Sequence, residues 1–485
     1  LSVISALNRL ALRVHSSRSL TLLTGLAITA LGALLRFGNN ANPATLVFDE
    51  TYYVKDAYTL GLFGSERAWP ENANLDFEAG DTDVFEQVGS YVVHPPFGKW
   101  IIFLGLQLFG ADSPFGWRFS TALLGTLVIP LVMFIAWRLI GSRVFALLAG
   151  LFIALEGQSI VMSRTAILDG ILAFMVVLGL AILVVADSWW RGRVATKGRA
   201  TLTLQPWLIL LGVVMGLASS VKWSGLYFLA FFGVYTFLSV LRLRRRLNLR
   251  QLGAWLHGFI NTVTLLSFGI VAYVISWSGW IMGTDGWGRQ AEGSWWQSLW
   301  AYHQNAFSFH TTLDSEHPYE ANAFQWLLAL RPTAFFFERF ENAEICGALG
   351  DCTVAITAIP NLVVFFGGLL ALLWLVPRIL KDRTALVLVL GFLAGWLPWV
   401  IYLDRTVFQF YTVVLMPFFA IALAYVLHHY WRIGVIRGWQ LKRERRISLL
   451  VLATVLVAVY FASIWTGLAT PDWVWRIQML LPIWI

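Results

Sequence analysis

The chain has 485 residues, of which 58% are hydrophobic and only 13% are charged, and its formal net charge is +8. Long apolar runs at this density exclude an ordinary soluble protein and indicate an integral membrane protein. A net positive charge alone would fit a nucleic-acid partner, but most of the basic residues lie in short segments between the apolar runs. That distribution is typical of the charges that orient membrane helices, so we expect no nucleic-acid partner.

Apolar stretches long enough to cross a bilayer recur along the whole chain. The positive-inside rule places the N-terminus in the cytoplasm and two large loops, residues 39–115 and 282–358, on the opposite side. The expected fold class is an all-α polytopic membrane protein in which residues 1–485 form one transmembrane domain. The predicted spans are eleven, over residues 20–38, 116–138, 144–162, 168–187, 206–222, 224–241, 257–281, 359–377, 385–402, 408–430 and 448–467.

The two large loops carry features that simple connectors lack. Residues 99–110 are apolar but too short to span a bilayer, so we expect an interfacial helix and a first loop that folds back onto the bundle. The second loop contains the two cysteines of the chain, Cys346 and Cys352. Because they are close in sequence and face an oxidising compartment, a local disulfide is favoured over two free thiols.

A pair of adjacent acids, Asp49 and Glu50, follows the first span directly. Cations occur near the outer ends of other spans, where ionisable groups are costly and often functional. They are Arg118, Arg164, Lys222 and Arg405, with His94 and Lys99 in the first loop. Cations in such a place suit a lipid phosphate, and a carboxylate beside them suits a general base.

Each of these charges also has a structural interpretation. Arg118 and Arg405 could extend along the apolar surface to reach the membrane interface, and Asp169 could pair with Arg164. Considered one at a time, these interpretations are the simpler ones. The convergence of several cations near an acidic pair favours a site instead, at which the head group of an amphiphile meets an aqueous acceptor.

Five segments of the sequence resemble one family of membrane enzymes. They are "FDETYY" (48–53), "VHPPFGKW" (93–100), "SRTAILDG" (163–170), "SVKWSGLY" (220–227) and "FHTTLDSEHPYEANAFQWLLALRPTAFFF" (309–337). Their order and placement resemble the protein O-mannosyltransferases, glycosyltransferase family 39 with the GT-C fold, in the compact form of the actinobacterial branch. The resemblance covers about residues 20–430.

The resemblance implies a specific reaction. Mannose would move from polyprenyl-phosphate mannose to Ser or Thr hydroxyls of exported polypeptides, with inversion at the anomeric carbon, at the extracytoplasmic face of the cell membrane. No nucleotide donor is needed, which fits the predicted topology. Adjacent acids cannot easily flank a sugar from two sides, which also favours a single displacement. The partners implied are the lipid-linked donor, the polypeptide acceptor, membrane lipid and, as a hypothesis, the secretion channel.

The resemblance also implies roles for individual residues. Asp49 matches the catalytic acid and is the expected general base, and Glu50 would bind the acceptor backbone, orient Asp49 or contact the sugar. Arg164 and Lys222 match basic positions that would hold the donor phosphate. Weaker candidates for the phosphate are His94, Arg405 and Arg331, and candidates for the sugar or acceptor site are Tyr52, Trp223, His310 and Trp326.

Several alternatives remain open at this stage. We expect no required metal, although a divalent cation between the acids and the phosphate is an alternative, with Asp169 as a remote third ligand. A GT-C transferase could use the same kind of donor and a lipid or glycan acceptor. A transporter of lipid-linked sugar would place its charges at the bilayer midplane instead of the outer edge. A structural scaffold would not need the clustered cations.

Overall fold

The computed structural model describes residues 17–197, 205–291, 293–341, 346–347 and 350–485. The described chain is mostly helical, and one small sheet lies among the loops. The helices are α1 (Arg18–Phe37), α2 (Glu50–Phe63), α3 (Ala73–Glu78), α4 (Phe97–Phe109), α5 (Pro114–Ile140), α6 (Arg143–Ala154), α7 (Gly157–Ser163), α8 (Leu168–Lys197), α9 (Pro206–Val221), α10 (Gly225–Arg246), α11 (Leu252–Ser276), α12 (Ser278–Met282), α13 (Trp295–Thr312), α14 (Ala323–Trp326), α15 (Leu362–Leu375), α16 (Arg383–Trp396), α17 (Met416–Ile436), α18 (Gln440–Thr466) and α19 (Asp472–Gln478). Short 3₁₀ helices cover Val376–Arg378, Leu397–Ile401, Gln409–Leu415 and Pro482–Trp484.

Every predicted span coincides with an apolar helix, but not every helix is long enough to cross a membrane. Within the described residues, eight helices are long and apolar enough, and the pair α6 and α7, bent by 60°, makes a ninth if it is one span. The helices at the predicted spans 206–222 and 359–377 are shorter. The polytopic membrane character is therefore confirmed, whereas the count of eleven spans stays a prediction.

Close approach of backbones holds α9 against α11. A Cβ added at Gly216 of α9 would lie 2.2 Å from the carbonyl oxygen of Gly269 in α11. Small residues allow this approach, and membrane helices associate through such packing because lipid provides no hydrophobic drive between them. The contact matters for function because α9, α10 and α11 end beside the cavity described below.

The two large loops pack against each other at one end of the bundle. The hydroxyl of Tyr302 donates to the carbonyl of Val92 at 2.8 Å and accepts from the backbone N–H of the same residue at 3.0 Å. Helix α4 nearly coincides with residues 99–110, where an interfacial helix was predicted. It buries Ile102 and Leu106 against the bundle. The first loop therefore folds back onto the helices as expected.

A small antiparallel sheet, which we did not predict, connects the second loop to the C-terminal segment. Its strands are β1 (Ala334–Phe340), β2 (Cys352–Thr357) and β3 (Thr470–Pro471), in the order β1-β2-β3. The expected disulfide joins Cys346 to Cys352 at the start of β2. The fold is thus helical with a local β element at the end of the bundle that carries the two large loops.

Charged groups of the predicted cytoplasmic segments meet at the opposite end. The carboxylate of Asp187 pairs with Arg191 at 2.9 Å and with Arg383 at 3.3 Å, and Ser239 donates a hydrogen bond to it. These contacts connect α8, α10 and α16. The polar groups of the molecule therefore separate into two ends, as the distribution of charge in the sequence predicts.

We predict that Gly216→Ala lowers thermal stability, because the added methyl group meets the α11 backbone, which cannot rotate away. Overpacking of this kind typically costs about 1–3 kcal/mol. Thermal unfolding of the protein in detergent measures the effect. Gly192→Ala in α8 is the matched control, since a Cβ there meets nothing within 4 Å. An equal melting temperature for the two variants would contradict the assigned contact.

Candidate active site

A cavity opens where α9 and α11 end and α10 begins, on the side of the two large loops, and α13 lines it. Its volume is about 560 Å³, which is in the range of small-molecule sites, and we call it the outer cavity. Its polar lining comes from both large loops, from α10 and α11, and from the turns that follow α9 and the 3₁₀ helix Leu397–Ile401. These residues include His94, Lys222, Trp223, Tyr227, Tyr273, His303, His310, Tyr402 and Arg405.

Asp49 immediately precedes α2, behind this lining. The hydroxyl of Tyr53, one helical turn later, donates to Asp49 Oδ2 at 3.3 Å, and the Tyr53 ring lies 6.0 Å from that of His94. The preceding residue, Phe48, has a φ of 50°, which is rare for a bulky side chain. Phe48 packs on Phe335 with ring centroids 5.2 Å apart, and this contact contributes to holding the strained turn.

The surroundings of Asp49 change its acidity. Burial raises its pKa to about 6, and the negative charge of Asp169 acts in the same direction, while Lys222 and the Tyr53 hydroxyl oppose the shift. A carboxyl with this pKa is largely ionised at neutral pH and is basic enough to take up a proton during a reaction. Asp49 is therefore suited chemically to the role of general base.

Glu50 points into the protein interior. Its carboxylate accepts from Arg118 Nε at 2.9 Å and Nη2 at 2.8 Å, and from the backbone N–H groups of Val47 and Ala166 at 3.0 and 2.7 Å. Both Glu50 and Arg118 are fully buried. Of the three roles expected for Glu50, this environment fits only the orientation of Asp49. The interpretation of Arg118 as a cation that reaches the interface was wrong.

Lys222 lines the outer cavity and is paired with a buried acid, Asp169. Its ammonium nitrogen lies 3.0 and 2.8 Å from the two carboxylate oxygens of Asp169 and 4.1 Å from the centre of the Tyr411 ring. The alternative in which Asp169 pairs with Arg164 was therefore wrong. Asp169 lies in the first turn of α8, where the helix dipole favours a negative charge.

Arg164 does not reach the outer cavity. Its guanidinium donates to carbonyl groups at the ends of α1 and α18, including Asn39 at 2.9 Å and Thr466 at 2.8 Å, and also to Leu35, Arg36 and Gly38. These carbonyls have no partner within their own helices, and a cation at a helix C-terminus stabilises them. The expectation that Arg164 binds a donor phosphate is corrected to a structural role.

Two histidines and an arginine complete the polar lining of the outer cavity, which we call its polar wall. His310 Nε2 lies 3.2 Å from the carbonyl of Val93, which can only accept, so Nε2 carries the proton. His310 Nδ1 then accepts from Arg405 Nη2 at 3.2 Å. Burial and Arg405 lower the pKa of His310 to about 4, and burial and Lys222 hold that of His94 well below its usual range. Both rings are therefore neutral at physiological pH.

Three other expected site residues lie away from the cavity lining. Arg331 donates to the carbonyl of Pro318 at 2.8 Å and to the carbonyls of the C-terminal segment. Trp326 is fully buried against Trp399, and Tyr52 is 66% exposed on α2. Arg331 and Trp326 are therefore corrected to packing roles, and Tyr52 does not contact the cavity.

Among the site residues that the sequence interpretation missed, four contact residues that it did predict. Tyr53 contacts Asp49, Tyr411 lies under Lys222, and Tyr273 and His303 line the cavity. The spacing of four residues between positions 49 and 53 on one helix face could have identified Tyr53. The other three come from distant segments that only the folded chain brings together.

A metal site does not emerge from the described residues. No group of three or more His, Cys, Asp or Glu side chains in the described ranges is arranged to hold a metal ion. Asp169, which was considered as a third ligand, already binds Lys222. Metal dependence stays a prediction.

We predict that Glu50→Ala strongly destabilises the protein, because it leaves the buried Arg118 without its counter-ion. Breaking a buried pair on one side costs about 3–5 kcal/mol. Thermal unfolding in detergent measures the loss, and Glu71→Ala, an exposed acid of the same loop, is the control. A melting temperature for Glu50→Ala equal to that of the control would show that the pair is not needed for stability.

Comparison with known proteins places the chain in a family. The family model "Dolichyl-phosphate-mannose-protein mannosyltransferase" matches residues 26–278. The chain is 31% identical to the polyprenol-phosphate-mannose–protein mannosyltransferase of Mycolicibacterium smegmatis, over 94% of this chain and 92% of the relative. The corresponding protein of Corynebacterium glutamicum is 30% identical, over 94% and 92% of the two chains.

Solved structures show the same architecture at low sequence identity. The Saccharomyces cerevisiae protein O-mannosyltransferase Pmt1-Pmt2 complex, bound to the sugar donor, matches with a TM-score of 0.73 and 13% identity, over 96% of this chain and 92% of the matched chain. ArnT from Cupriavidus metallidurans, bound to undecaprenyl phosphate, matches with a TM-score of 0.51 and 15% identity, over 93% and 76%. The expected GT-C fold is confirmed. By its sequence and by the match to the family model, the chain is a member of the dolichyl-phosphate-mannose-protein mannosyltransferase family.

Proposed function

We propose that this protein transfers mannose from polyprenyl-phosphate mannose to Ser or Thr hydroxyls of exported polypeptides, at the extracytoplasmic face of the cell membrane. The observation that carries the proposal is the placement of Asp49, a carboxyl with a raised pKa, within the electrostatic influence of Lys222 at the outer cavity. The names of the relatives support the same donor and a protein acceptor.

The polar wall of the cavity suits the phosphate of the donor. The charge of Lys222 is largely balanced by Asp169, so Arg405 supplies the remaining positive charge. Among the residues that line the outer cavity, Arg405 Nε and His94 Nδ1 are buried without a hydrogen-bond partner. Because a buried polar atom gains from a partner, a ligand in the cavity could satisfy both. In this proposal the phosphate lies between Lys222 and Arg405.

The reaction is a single displacement. Asp49 takes the proton of the acceptor hydroxyl as the oxygen attacks C1 of mannose, and the bond from C1 to the phosphate oxygen breaks on the opposite side. The polyprenyl phosphate leaves with its electron pair, and Lys222 and Arg405 stabilise the negative charge that develops on it. A second carboxylate nucleophile would be needed for retention, and Glu50 is held by Arg118 instead. We therefore expect an α-mannoside from a β-linked donor.

The lipid part of the donor has an apolar path next to the cavity. A second groove of about 510 Å³ runs between α10 and α11, and Leu226, Leu229 and Leu266 line both it and the outer cavity. The groove continues along Phe237 and Phe259. The two cavities join at these leucines, so a prenyl chain in this groove would lead its phosphate into the outer cavity, which Lys222 lines.

The proposed acceptor is a Ser or Thr hydroxyl of an exported polypeptide. Because unfolded segments rich in Ser and Thr are the easiest acceptors, our hypothesis is that the protein acts close to the secretion channel. Cross-linking in cells that finds no contact with subunits of the channel would contradict this coupling. Consumption of donor without a mannosylated peptide would favour the alternative, a lipid or glycan acceptor.

We predict that Asp49→Asn lowers transfer by at least about 10²-fold, since a positioned general base contributes about 10²–10⁴-fold. Transfer of labelled mannose from polyprenyl-phosphate mannose to a Thr- and Pro-rich peptide measures this loss. The donor should still bind, because the cations of the cavity are unchanged.

Asp81→Asn is the matched control for this experiment, because Asp81 is an exposed acid in the same loop. It should retain wild-type transfer. Full activity of Asp49→Asn would remove Asp49 from the mechanism and would require another base.

We also predict an acidic limit to activity. Asp49 acts only when it is deprotonated, and its pKa is raised to about 6, so kcat/KM should fall about tenfold per pH unit below that value. Burial keeps His94 and His310 neutral through this range, so they should not add a second transition. A pH profile between 5 and 8 measures the limb, and a flat profile down to pH 5 would contradict the assignment.

A further inference from the structure

We propose that Tyr273 and His303 are positioning residues, which hold the indole ring of Trp223 as one wall of the donor site. The inference rests on the proposed function, because it assigns the outer cavity to the lipid-linked sugar. Neither residue belongs to the five sequence segments that carry the family resemblance.

A directed series of hydrogen bonds leads to the indole. His303 Nδ1 lies 2.7 Å from the carbonyl of Leu299, which can only accept, so Nδ1 carries the proton and Nε2 is an acceptor. The Tyr273 hydroxyl, 2.7 Å from Nε2, must therefore donate to it. The oxygen of that hydroxyl is then free to accept from Trp223 Nε1 at 3.0 Å. Each member of the series has one role, because the backbone carbonyl fixes the direction of every bond.

The series connects three separate parts of the structure. Leu299 and His303 lie on α13 in the second loop, Tyr273 lies in the last turn of α11, and Trp223 lies in the turn after α9. The hydrogen bonds thus fix the orientation of Trp223 relative to α13. A ring held only by apolar contacts would have no comparable preference for one orientation.

Ring contacts restrict the indole further. Trp223 stacks on His303 with centroids 5.9 Å apart and an interplanar angle of 23°, and lies 5.4 Å from the ring of His310. His310 in turn binds Arg405. Trp223 is therefore wedged between two histidines of one helix, which lie seven residues apart, or about two turns.

The position of Trp223 affects the donor site in two ways. Its ring lines the outer cavity, where an aromatic face can pack against the C–H surface of a sugar. It also follows Lys222 directly in the chain, so a displaced indole would disturb the backbone that presents the ammonium group. Loss of the hydrogen bonds should therefore weaken donor binding more than it slows the chemical step.

The test compares affinity for polyprenyl-phosphate mannose, measured by equilibrium binding of labelled donor to the full-length protein in detergent. Tyr273→Phe removes the hydroxyl at the centre of the series and should weaken binding about 3- to 10-fold, which is the usual effect of one lost hydrogen bond. Tyr235→Phe, a buried tyrosine on α10 away from the outer cavity, is the control and should bind as the wild type does.

Two substitutions at His303 separate positioning from general packing. His303→Gln places an acceptor near the position of Nε2, so its donor binding should stay within about twofold of wild type. His303→Asn retains a donor for Leu299 but does not reach Tyr273, and should resemble Tyr273→Phe. Equal binding by the Gln and Asn variants would overturn the proposal, even if Tyr273→Phe failed to fold.

A double-mutant cycle tests whether the effect passes through Trp223. In a Trp223→Phe background there is no indole N–H to orient, so adding Tyr273→Phe should cause no further loss. Additive losses would overturn the proposal. Wild-type protein that binds no donor at all would instead refute the proposed function, so the two failures are distinguishable.

Discussion

The buried ion pair between Glu50 and Arg118 is the interaction on which the arrangement of the site depends. Arg118 donates to Glu50 and also to the carbonyls of Asn40, Pro43 and Thr45, in a segment without regular secondary structure. A buried pair is favourable only when its remaining donors and acceptors are satisfied, and here these backbone groups satisfy them. The turn that presents Asp49 is thereby anchored to α5, although Asp49 itself makes few contacts.

The cations at the outer end separate into two classes by what their donors meet. Arg118, Arg164 and Arg331 are engaged with backbone carbonyls and, in one case, a carboxylate, so they fix loops and helix ends. Lys222 and Arg405 instead line the outer cavity. Since all five are alike in the sequence, charge alone predicted the location of the site but not which cations serve it.

Features that depend on residues close in sequence were predicted correctly, whereas contacts between distant parts of the chain were not. The positions of the apolar helices and the bond between Cys346 and Cys352 depend on residues close in sequence, and these predictions were confirmed. The structural alternative paired Asp169 with Arg164, five residues away, but its partner is Lys222, 53 residues away at the end of another helix. The small sheet was missed for the same reason, because β3 comes from the far C-terminal segment. The position after the first span indicated the acidic pair, and resemblance to the family selected Asp49 as the base, whereas its contact with Tyr53 required the structure.

Two adjacent acids with different environments follow from the geometry of a helix start. Consecutive residues at the beginning of a helix point about 100° apart, so Asp49 and Glu50 cannot face the same surroundings. Glu50 points to the interior and pairs with Arg118. Asp49 contacts the Tyr53 hydroxyl, and the positive charge of Lys222 acts on it. A single displacement needs one base and a rigid support for it. In the proposed reaction, the paired acid of the sequence therefore acts as one reactive group and one anchor.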